Sequence, residues 1–201
     1  MNYFIYDEDA TNYLKKADPI LGNAIDQIGH INRNTTPDLF EGLIRSIIAQ
    51  QISSKAADTV WLRFQKICSP VSPENVVLVE PEAIQAQGMS MRKATYIHRI
   101  ACMVHEGKLD LDALTRESDE VIASTLKSLP GIGVWTAEML MIFSMERQDI
   151  LSWDDLAIRR GMMKLYGLDK LDKPTFLAYK TKYSPYGSVA SLYLWAISVL
   201  E

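Results

Sequence analysis

Two adjacent carboxylates, Asp154 and Asp155, are the residues of this chain whose type and position best suit catalysis. Asp155 lies twenty residues beyond Trp135 (155 − 135), which ends the Gly-rich segment LPGIGVW at 129–135. A pair of carboxylates suits chemistry on a cation, because a carboxylate can stabilise developing positive charge and can orient or deprotonate an attacking water. Both acids are equally natural at the start of a helix, so the residue types alone leave capping and catalysis open.

The Gly-rich segment predicts a tight hairpin between two helices. Residues 118–129 have a helical pattern with Ser118 as the N-cap, and Pro130 cannot continue that helix. Gly131 and Gly133 permit the backbone conformations of a tight reversal, after which a second apolar helix begins. The unpaired N–H groups of that second helix and the missing Cβ atoms allow a phosphate to approach closely. A plain helical hairpin without a ligand is the alternative.

The elements that must position these residues are predicted to be helices almost throughout. Apolar residues recur with a period of 3.6, strand alternation is nowhere sustained, and internal repeats and low-complexity linkers are lacking. The sequence therefore predicts an all-α protein, and 201 residues suffice for one large domain or two small lobes. The predicted helices cover 7–16, 18–29, 38–50, 53–67, 73–78, 81–86, 90–105, 118–129, 134–146, 155–166, 173–181 and 185–200.

The net charge of −4 counts mildly against a nucleic-acid partner, but the distribution of charge matters more than its sum. Residues 159–182 contain seven Lys or Arg against two Asp, and a second basic cluster begins at Arg92 and Lys93. Either cluster can instead be an ordinary solvated helix face. If they do bind nucleic acid, binding should be salt-sensitive, with few phosphate contacts.

Two cysteines, Cys68 and Cys102, are too few for a cysteine-ligated zinc or iron–sulfur site, and both fall in apolar helical patterns. The start of the chain lacks the features of a signal peptide, and no apolar run approaches the length of a bilayer-spanning helix. We therefore expect reduced cysteines and a cytoplasmic protein without a membrane partner.

Five segments of the chain, in order, resemble the helix-hairpin-helix (HhH-GPD) DNA glycosylases, and among them the 3-methyladenine DNA glycosylase II branch. These segments are 43–53, 88–94, the hairpin through Ala137, the pair Asp154-Asp155, and 188–195. The resemblance implies one glycosylase unit over 1–201, in a minimal form without the N-terminal β domain of larger members. It implies a central helical lobe at 38–150 that carries the hairpin 129–134. Residues 1–37 and 151–201 would form a second lobe, with an active cleft between the two.

The same resemblance assigns the site. Asp155 matches the catalytic aspartate, and Asp154 is expected to cap the helix that runs from Asp155 or to contact backbone nearby. Trp135 and Trp195 match the walls of the base pocket, and Met139 faces that pocket. An indole face favours a cationic base by roughly 0.5–2 kcal/mol, which suits alkylated purines. Members that also cleave the DNA backbone carry a lysine at the position of Trp135, and indole cannot form the Schiff base which that lysine forms.

The resemblance therefore implies a monofunctional glycosylase that hydrolyses the N-glycosidic bond of alkylated purines such as 3-methyladenine in base excision repair. It implies a monomer acting on double-stranded DNA, with no required cofactor and no abasic-site lyase activity. Two alternatives stay open. One is a glycosylase for neutral damaged or mismatched bases, and the other is a helix-hairpin-helix module that binds DNA without catalysis.

Gln51 aligns with the side chain that fills the gap left by a flipped nucleotide, and Gln50 is expected to contact the bases or backbone beside it. No metal site made of side chains is expected. The main-chain carbonyls of Leu129 and Ile132 can hold a structural Na⁺ or K⁺, as the hairpin often does in this family. The complete set of expected DNA contacts is Gln50, Gln51, Gly131, Gly133, Val134, Arg92 and Lys93.

Overall fold

A computed structural model describes residues 2–200, and within that range thirteen α-helices account for the regular structure, apart from one isolated antiparallel bridge between Tyr3 and Asn34. The all-α prediction is confirmed. The periodic pattern misses only α8, a helix of four residues. In chain order the helices are α1 (Glu8–Ala17), α2 (Pro19–Ile28), α3 (Leu39–Ala49), α4 (Ser54–Ile67), α5 (Pro73–Val76), α6 (Pro81–Gln85), α7 (Met91–His105), α8 (Leu111–Leu114), α9 (Asp119–Ser128), α10 (Val134–Phe143), α11 (Leu156–Tyr166), α12 (Lys173–Tyr183) and α13 (Gly187–Val199).

Most of these helices begin at an Asp or Ser whose side chain accepts a hydrogen bond from a backbone N–H in the first turn. Ser118 accepts from the N–H of Val121 at 3.4 Å, as predicted for α9, and Asp38 accepts from Glu41 at 2.8 Å at the start of α3. Such caps satisfy N–H groups that have no partner within the helix, and each contributes about 1 kcal/mol. Local sequence therefore fixes where many of the helices start.

The chain folds into two compact units. The central unit is Thr36–Leu140, and the discontinuous unit combines the residues up to Thr35 with those from Met141 onward. The boundary at Leu140 falls inside α10. The predicted functional lobes, with boundaries at 38 and 150, stay a prediction.

In the central unit, α3 supplies much of the core, with Leu43, Ile44, Ile47 and Ile48 fully buried. Cys68 is buried at the end of α4, and its burial raises the pKa of the thiol to about 11, so that it stays protonated and unreactive near neutral pH. Both cysteines are free. Measured over residues 2–200, every helix falls short of the length and apolarity that a membrane-spanning segment requires.

In the discontinuous unit, α11 and α13 pack together with unusually close backbones. A Cβ atom added at Gly161 of α11 would lie 2.0 Å from the carbonyl oxygen of Leu194 in α13. Only glycine fits at this crossing, since any side chain would overlap main-chain atoms that cannot turn aside. The close approach matters because α11 begins next to Asp155 and α13 carries Trp195.

A buried carboxylate, Asp18, connects α2 to the C-terminal helices of the same unit. Its side chain caps α2 by accepting from the N–H groups of Ile20 and Leu21 at 3.0 and 3.1 Å. It also accepts from the Tyr166 hydroxyl at 2.7 Å and the Lys182 ammonium at 2.8 Å. Burial raises the pKa of Asp18, but the hydrogen bonds from Lys182 and Tyr166 outweigh it and hold the pKa below its ordinary value.

Replacing Asp18 by Asn should lower the free energy of unfolding at pH 7 by about 2 kcal/mol, because it removes the charge of a buried carboxylate that accepts hydrogen bonds from Lys182 and Tyr166. A carboxylate with a depressed folded-state pKa stabilises the fold above its unfolded pKa of about 3.9 and loses that contribution as the pH falls. The difference between wild type and variant should therefore shrink below about pH 4. Urea denaturation at pH 7 and at pH 3 measures both effects.

Asp26→Asn is the matched control, because Asp26 pairs with Lys15 at an exposed position. Its effect should stay below about 0.5 kcal/mol at either pH. Equal effects of the two substitutions would contradict the structural role given to Asp18.

Candidate active site and nucleic-acid interface

Asp155 is a buried carboxylate with a fixed orientation. It is 7 % exposed and is the N-cap of α11, and its Oδ1 accepts from the N–H groups of Ala157 and Ile158, both at 2.9 Å. The same oxygen accepts from the indole Nε1 of Trp195 at 3.2 Å. Three donors thus converge on one oxygen and fix the plane of the carboxylate. The structure therefore brings together two of the predicted site residues, Asp155 and Trp195.

The other member of the acid pair, Asp154, is exposed. The expectation that Asp154 caps a helix beginning at Asp155 is wrong, since that helix begins at Leu156 and Asp155 is its cap. The reason is geometric: only the side chain directly before the first helical residue reaches the N–H groups of the second and third residues. Asp155 therefore both caps α11 and contacts Trp195.

Two residues that the sequence did not indicate, Phe143 and Arg33, surround the Trp195 ring. Phe143 stacks on the indole with ring centroids 5.5 Å apart and planes 28° apart. The Arg33 guanidinium carbon lies 5.4 Å from the Phe143 centroid and 5.8 Å from that of Trp195, within cation–π range. The Arg33 carbonyl accepts from the N–H of Phe4 at 2.8 Å, which anchors the backbone beneath this side chain.

One sequence signal for Phe143 does exist. It follows Met139 by four residues, as Met139 follows Trp135, and this spacing puts all three on one face of α10. Trp135 is 46 % exposed in the first turn of α10, while Met139 is half-buried. Arg33 has no comparable signal, because a single exposed arginine before a helix is unremarkable. The pocket roles expected of Trp135, Trp195 and Met139 stay predictions.

The predicted hairpin is present between α9 and α10 in the central unit. Leu129 and Ile132 are buried, whereas Gly133 and Val134 are exposed. Gly131 has a φ of +83°, and a Cβ there would lie 2.5 Å from Cδ2 of Tyr96. The Leu129 carbonyl accepts from the Ile132 N–H at 3.2 Å, which leaves that oxygen a second lone pair. A monovalent cation on the hairpin carbonyls stays a prediction.

Replacing Gly131 by Ala should lower the melting temperature measurably, because the added Cβ is strained at this φ and overlaps the Tyr96 ring. Gly133→Ala is the comparison, since nothing lies within 4 Å of a Cβ at Gly133 and its φ is ordinary. We expect a cost of about 2 kcal/mol for Gly131→Ala and less than about 0.5 kcal/mol for Gly133→Ala. Thermal unfolding of both variants measures this, and similar shifts would contradict the close packing on Tyr96.

The loop Gln50–Ser53, which connects α3 to α4, contains both predicted glutamines, and we call it the wedge loop. The Gln50 amide nitrogen donates to the carbonyl of Gly131 in the hairpin at 2.7 Å. Gln51 is exposed and has a φ of +59°, a left-handed conformation that is uncommon for a residue other than glycine. The Lys93 ammonium donates to the carbonyls of Ile48 and Gln50 at 2.9 and 2.5 Å.

The structure therefore brings Gln50, Lys93 and the hairpin together in the central unit. Arg92, next to Lys93, is exposed. The DNA contacts expected of the wedge loop, the hairpin and the two basic residues stay predictions. Over residues 2–200, no three His, Cys, Asp or Glu side chains gather closely enough to hold a metal ion.

Comparison with known proteins identifies the family. The family model of the HhH-GPD superfamily base excision DNA repair proteins matches residues 44–183, which include the hairpin and Asp155. The chain belongs to this family. The HhH-GPD match confirms the resemblance inferred from the five sequence segments.

Among the curated HhH-GPD relatives, DNA-3-methyladenine glycosylase 1 of Schizosaccharomyces pombe is 35% identical over 166 residues, covering 80% of this chain and 73% of the relative. The putative DNA-3-methyladenine glycosylase YfjP of Bacillus subtilis is 32% identical, covering 78% of this chain and 58% of the relative. The chain thus spans most of the first relative and little more than half of the second.

Two solved structures are similar over nearly the whole chain. A DNA-3-methyladenine glycosidase from Bacillus halodurans has a TM-score of 0.89 and 35% identity, covering 99% of this chain and 93% of that one. The Schizosaccharomyces pombe 3-methyladenine DNA glycosylase in complex with abasic DNA has a TM-score of 0.82 and 32% identity, covering 96% and 97%. The HhH-GPD fold of this protein is therefore established over its whole described length.

Proposed function

We propose that this protein is a monofunctional DNA glycosylase that releases alkylated purines such as 3-methyladenine from double-stranded DNA in base excision repair. The observation that carries the proposal is the buried Asp155 carboxylate, aligned by two backbone N–H groups and by the Trp195 indole. Relatives and structural neighbours named as 3-methyladenine glycosylases, one of them bound to abasic DNA, support it. A monomer in the cytoplasm stays a prediction.

Each residue has a role in the proposed reaction. As the base departs, positive charge builds on the sugar, and the Asp155 carboxylate stabilises that charge and orients the attacking water. Trp195 and Phe143 offer an electron-rich surface to the base. A cationic purine is already a good leaving group, so the site needs no separate general acid. Gln51 would fill the space left by the flipped nucleotide.

The decisive test is release of free base from methylated duplex DNA, with Asp154→Asn as a control for a nearby lost charge. Appearance of 3-methyladenine at the same rate with wild type and with this control supports the proposal. Binding to DNA without release of any base would indicate the non-catalytic module instead.

One observation favours the alternative of a neutral substrate. The Arg33 guanidinium lies over Phe143 and Trp195, where it would repel a cationic base but stabilise the negative charge that gathers on a neutral leaving group. Hypoxanthine and ethenoadenine in otherwise identical duplexes therefore belong in the same assay. Their release in preference to 3-methyladenine would replace the cationic-base proposal with this second one.

Trp135 leads to a separate prediction, which is that the protein has no lyase activity. Because indole has no amine to attack the sugar, borohydride should trap no covalent complex between protein and DNA during base release. An HhH-GPD glycosylase with a lysine at the corresponding position serves as the positive control. A trapped adduct with this protein would contradict hydrolysis by water.

A further inference from the structure

The Lys93 ammonium donates hydrogen bonds to main-chain carbonyls of the protein where α3 meets the wedge loop. Its two acceptors, the carbonyls of Ile48 and Gln50, belong to the end of α3, where carbonyl groups lack helical partners. A cation at this end of a helix is favourable, and Lys93 is half-buried in the position. Burial, with the neighbouring charge of Arg92, lowers the pKa of Lys93.

One of the two contacts acts directly on Gln51. The Gln50 carbonyl and the Gln51 nitrogen belong to a single planar peptide group, so a hydrogen bond to that carbonyl fixes the orientation of the plane. Rotation of the same plane defines the φ of Gln51, which is +59°. The left-handed conformation persists only where its surroundings hold it. The Lys93 hydrogen bond at 2.5 Å supplies such a restraint.

A second restraint links the wedge loop to the hairpin. The Gln50 side chain donates to the Gly131 carbonyl at 2.7 Å, and Gly131 packs against the Tyr96 ring of α7, the helix that also carries Lys93. The wedge loop and hairpin are therefore held to one another and to α7 by short contacts within the central unit. Loss of the Lys93 hydrogen bonds would therefore first change the conformation of Gln50 and Gln51.

We propose that Lys93 is a positioning residue for nucleotide flipping, which holds the peptide between Gln50 and Gln51 so that the Gln51 side chain is presented to the DNA. Its positive charge stabilises the carbonyl groups at the end of α3, and it does not bind a DNA phosphate. This inference rests on the proposed function, because it takes Gln51 to be the side chain that enters the duplex.

The test measures binding and leaves excision aside. Duplex DNA containing a tetrahydrofuran abasic analogue is compared with the same undamaged duplex, for wild type, Lys93→Met and Lys93→Arg, at several salt concentrations. Lys66→Met is the matched control, because Lys66 is an exposed lysine in the same unit near the end of α4. Gln51→Ala, alone and with Lys93→Met, completes a double-mutant cycle.

Lys93→Met should lower the preference for the abasic duplex about tenfold while leaving the dependence of affinity on salt unchanged. Lys93→Arg, which keeps donors for both carbonyls, should retain most of the preference, and Lys66→Met all of it. In the Gln51→Ala background, Lys93→Met should change the preference by less than about twofold, because the residue it positions is gone.

Three results would overturn the inference. The first is an equal loss of affinity for both duplexes with a salt slope smaller by about one, which is the signature of a lost phosphate contact. The second is a further tenfold loss of the preference for the abasic duplex when Lys93→Met is added to Gln51→Ala. The third is a wild type without preference for the abasic duplex.

If Lys93→Met does not unfold cooperatively, Lys93→Gln, which keeps a donor for one carbonyl, replaces it under the same criteria. A wild type that prefers abasic DNA but releases no base would refute the proposed function and leave this inference standing.

Discussion

Replacing Asp155 by Asn is expected to slow single-turnover base release by roughly a thousandfold, with α11 left intact. An ion pair about 4 Å apart at an effective dielectric constant near 20 contributes roughly 4 kcal/mol, which corresponds to that factor in rate. Asparagine keeps an oxygen that can accept from Ala157 and Ile158, so the cap survives while the charge is lost. The comparison therefore isolates the effect of the charge.

The controls for this variant are binding and stability. Asp155→Asn should bind abasic duplex DNA as wild type does and unfold at a similar temperature. Asp155→Ala should lose the cap as well, at a further cost of about 1 kcal/mol in the free energy of unfolding. If Asp155→Asn released base at close to the wild-type rate, another group would have to be the catalytic one.

Gly161→Ala should destabilise the protein by about 3 kcal/mol and slow base release in the molecules that remain folded. The added Cβ cannot lie 2.0 Å from the Leu194 carbonyl oxygen, so α11 and α13 must move apart. That movement lengthens the contact between Asp155 at the start of α11 and Trp195, the residue after Leu194. Chemical denaturation measures the first effect, and single-turnover kinetics below the transition measures the second.

Arg160→Ala controls for a change in α11 itself, since Arg160 is the exposed neighbour of Gly161. It should alter the free energy of unfolding by less than about 0.5 kcal/mol. A Gly161→Ala variant that is destabilised but releases base normally would show that the separation of α11 and α13 is not transmitted to Asp155.

The local features of this fold were predictable because each is encoded within a few residues. Ser118 before an acidic first turn marks the start of α9, and Pro130 with Gly131 marks the reversal after it. The pair Asp154-Asp155 stood out by its spacing from the hairpin, and the family resemblance selected Asp155 from the pair. The cap of α11 was expected at Asp154, because two adjacent acids give the same pattern and only the position where the helix starts distinguishes them.

The long-range contacts were not predictable from local pattern. Arg33 meets Trp195 across 162 residues (195 − 33) and Phe143 across 110 (143 − 33). Lys93 was recognised as part of a basic cluster, but the carbonyls it contacts belong to the end of another helix. A lysine that holds a loop and a lysine that binds phosphate look identical in sequence. Only the fold distinguishes them.

The division of the chain also has a consequence for the order in which the protein can form during synthesis. The central unit is one continuous stretch, Thr36–Leu140, so all of it is synthesised before the C-terminal helices. Helices α1 and α2 emerge first, but their packing partners α11, α12 and α13 are synthesised last. Helices α1 and α2 can pack on each other early, but their contacts with the C-terminal helices can form only after the central unit has been synthesised. Asp155 and Trp195 come together only in the final stage of this assembly, so the proposed catalytic group takes its final position last.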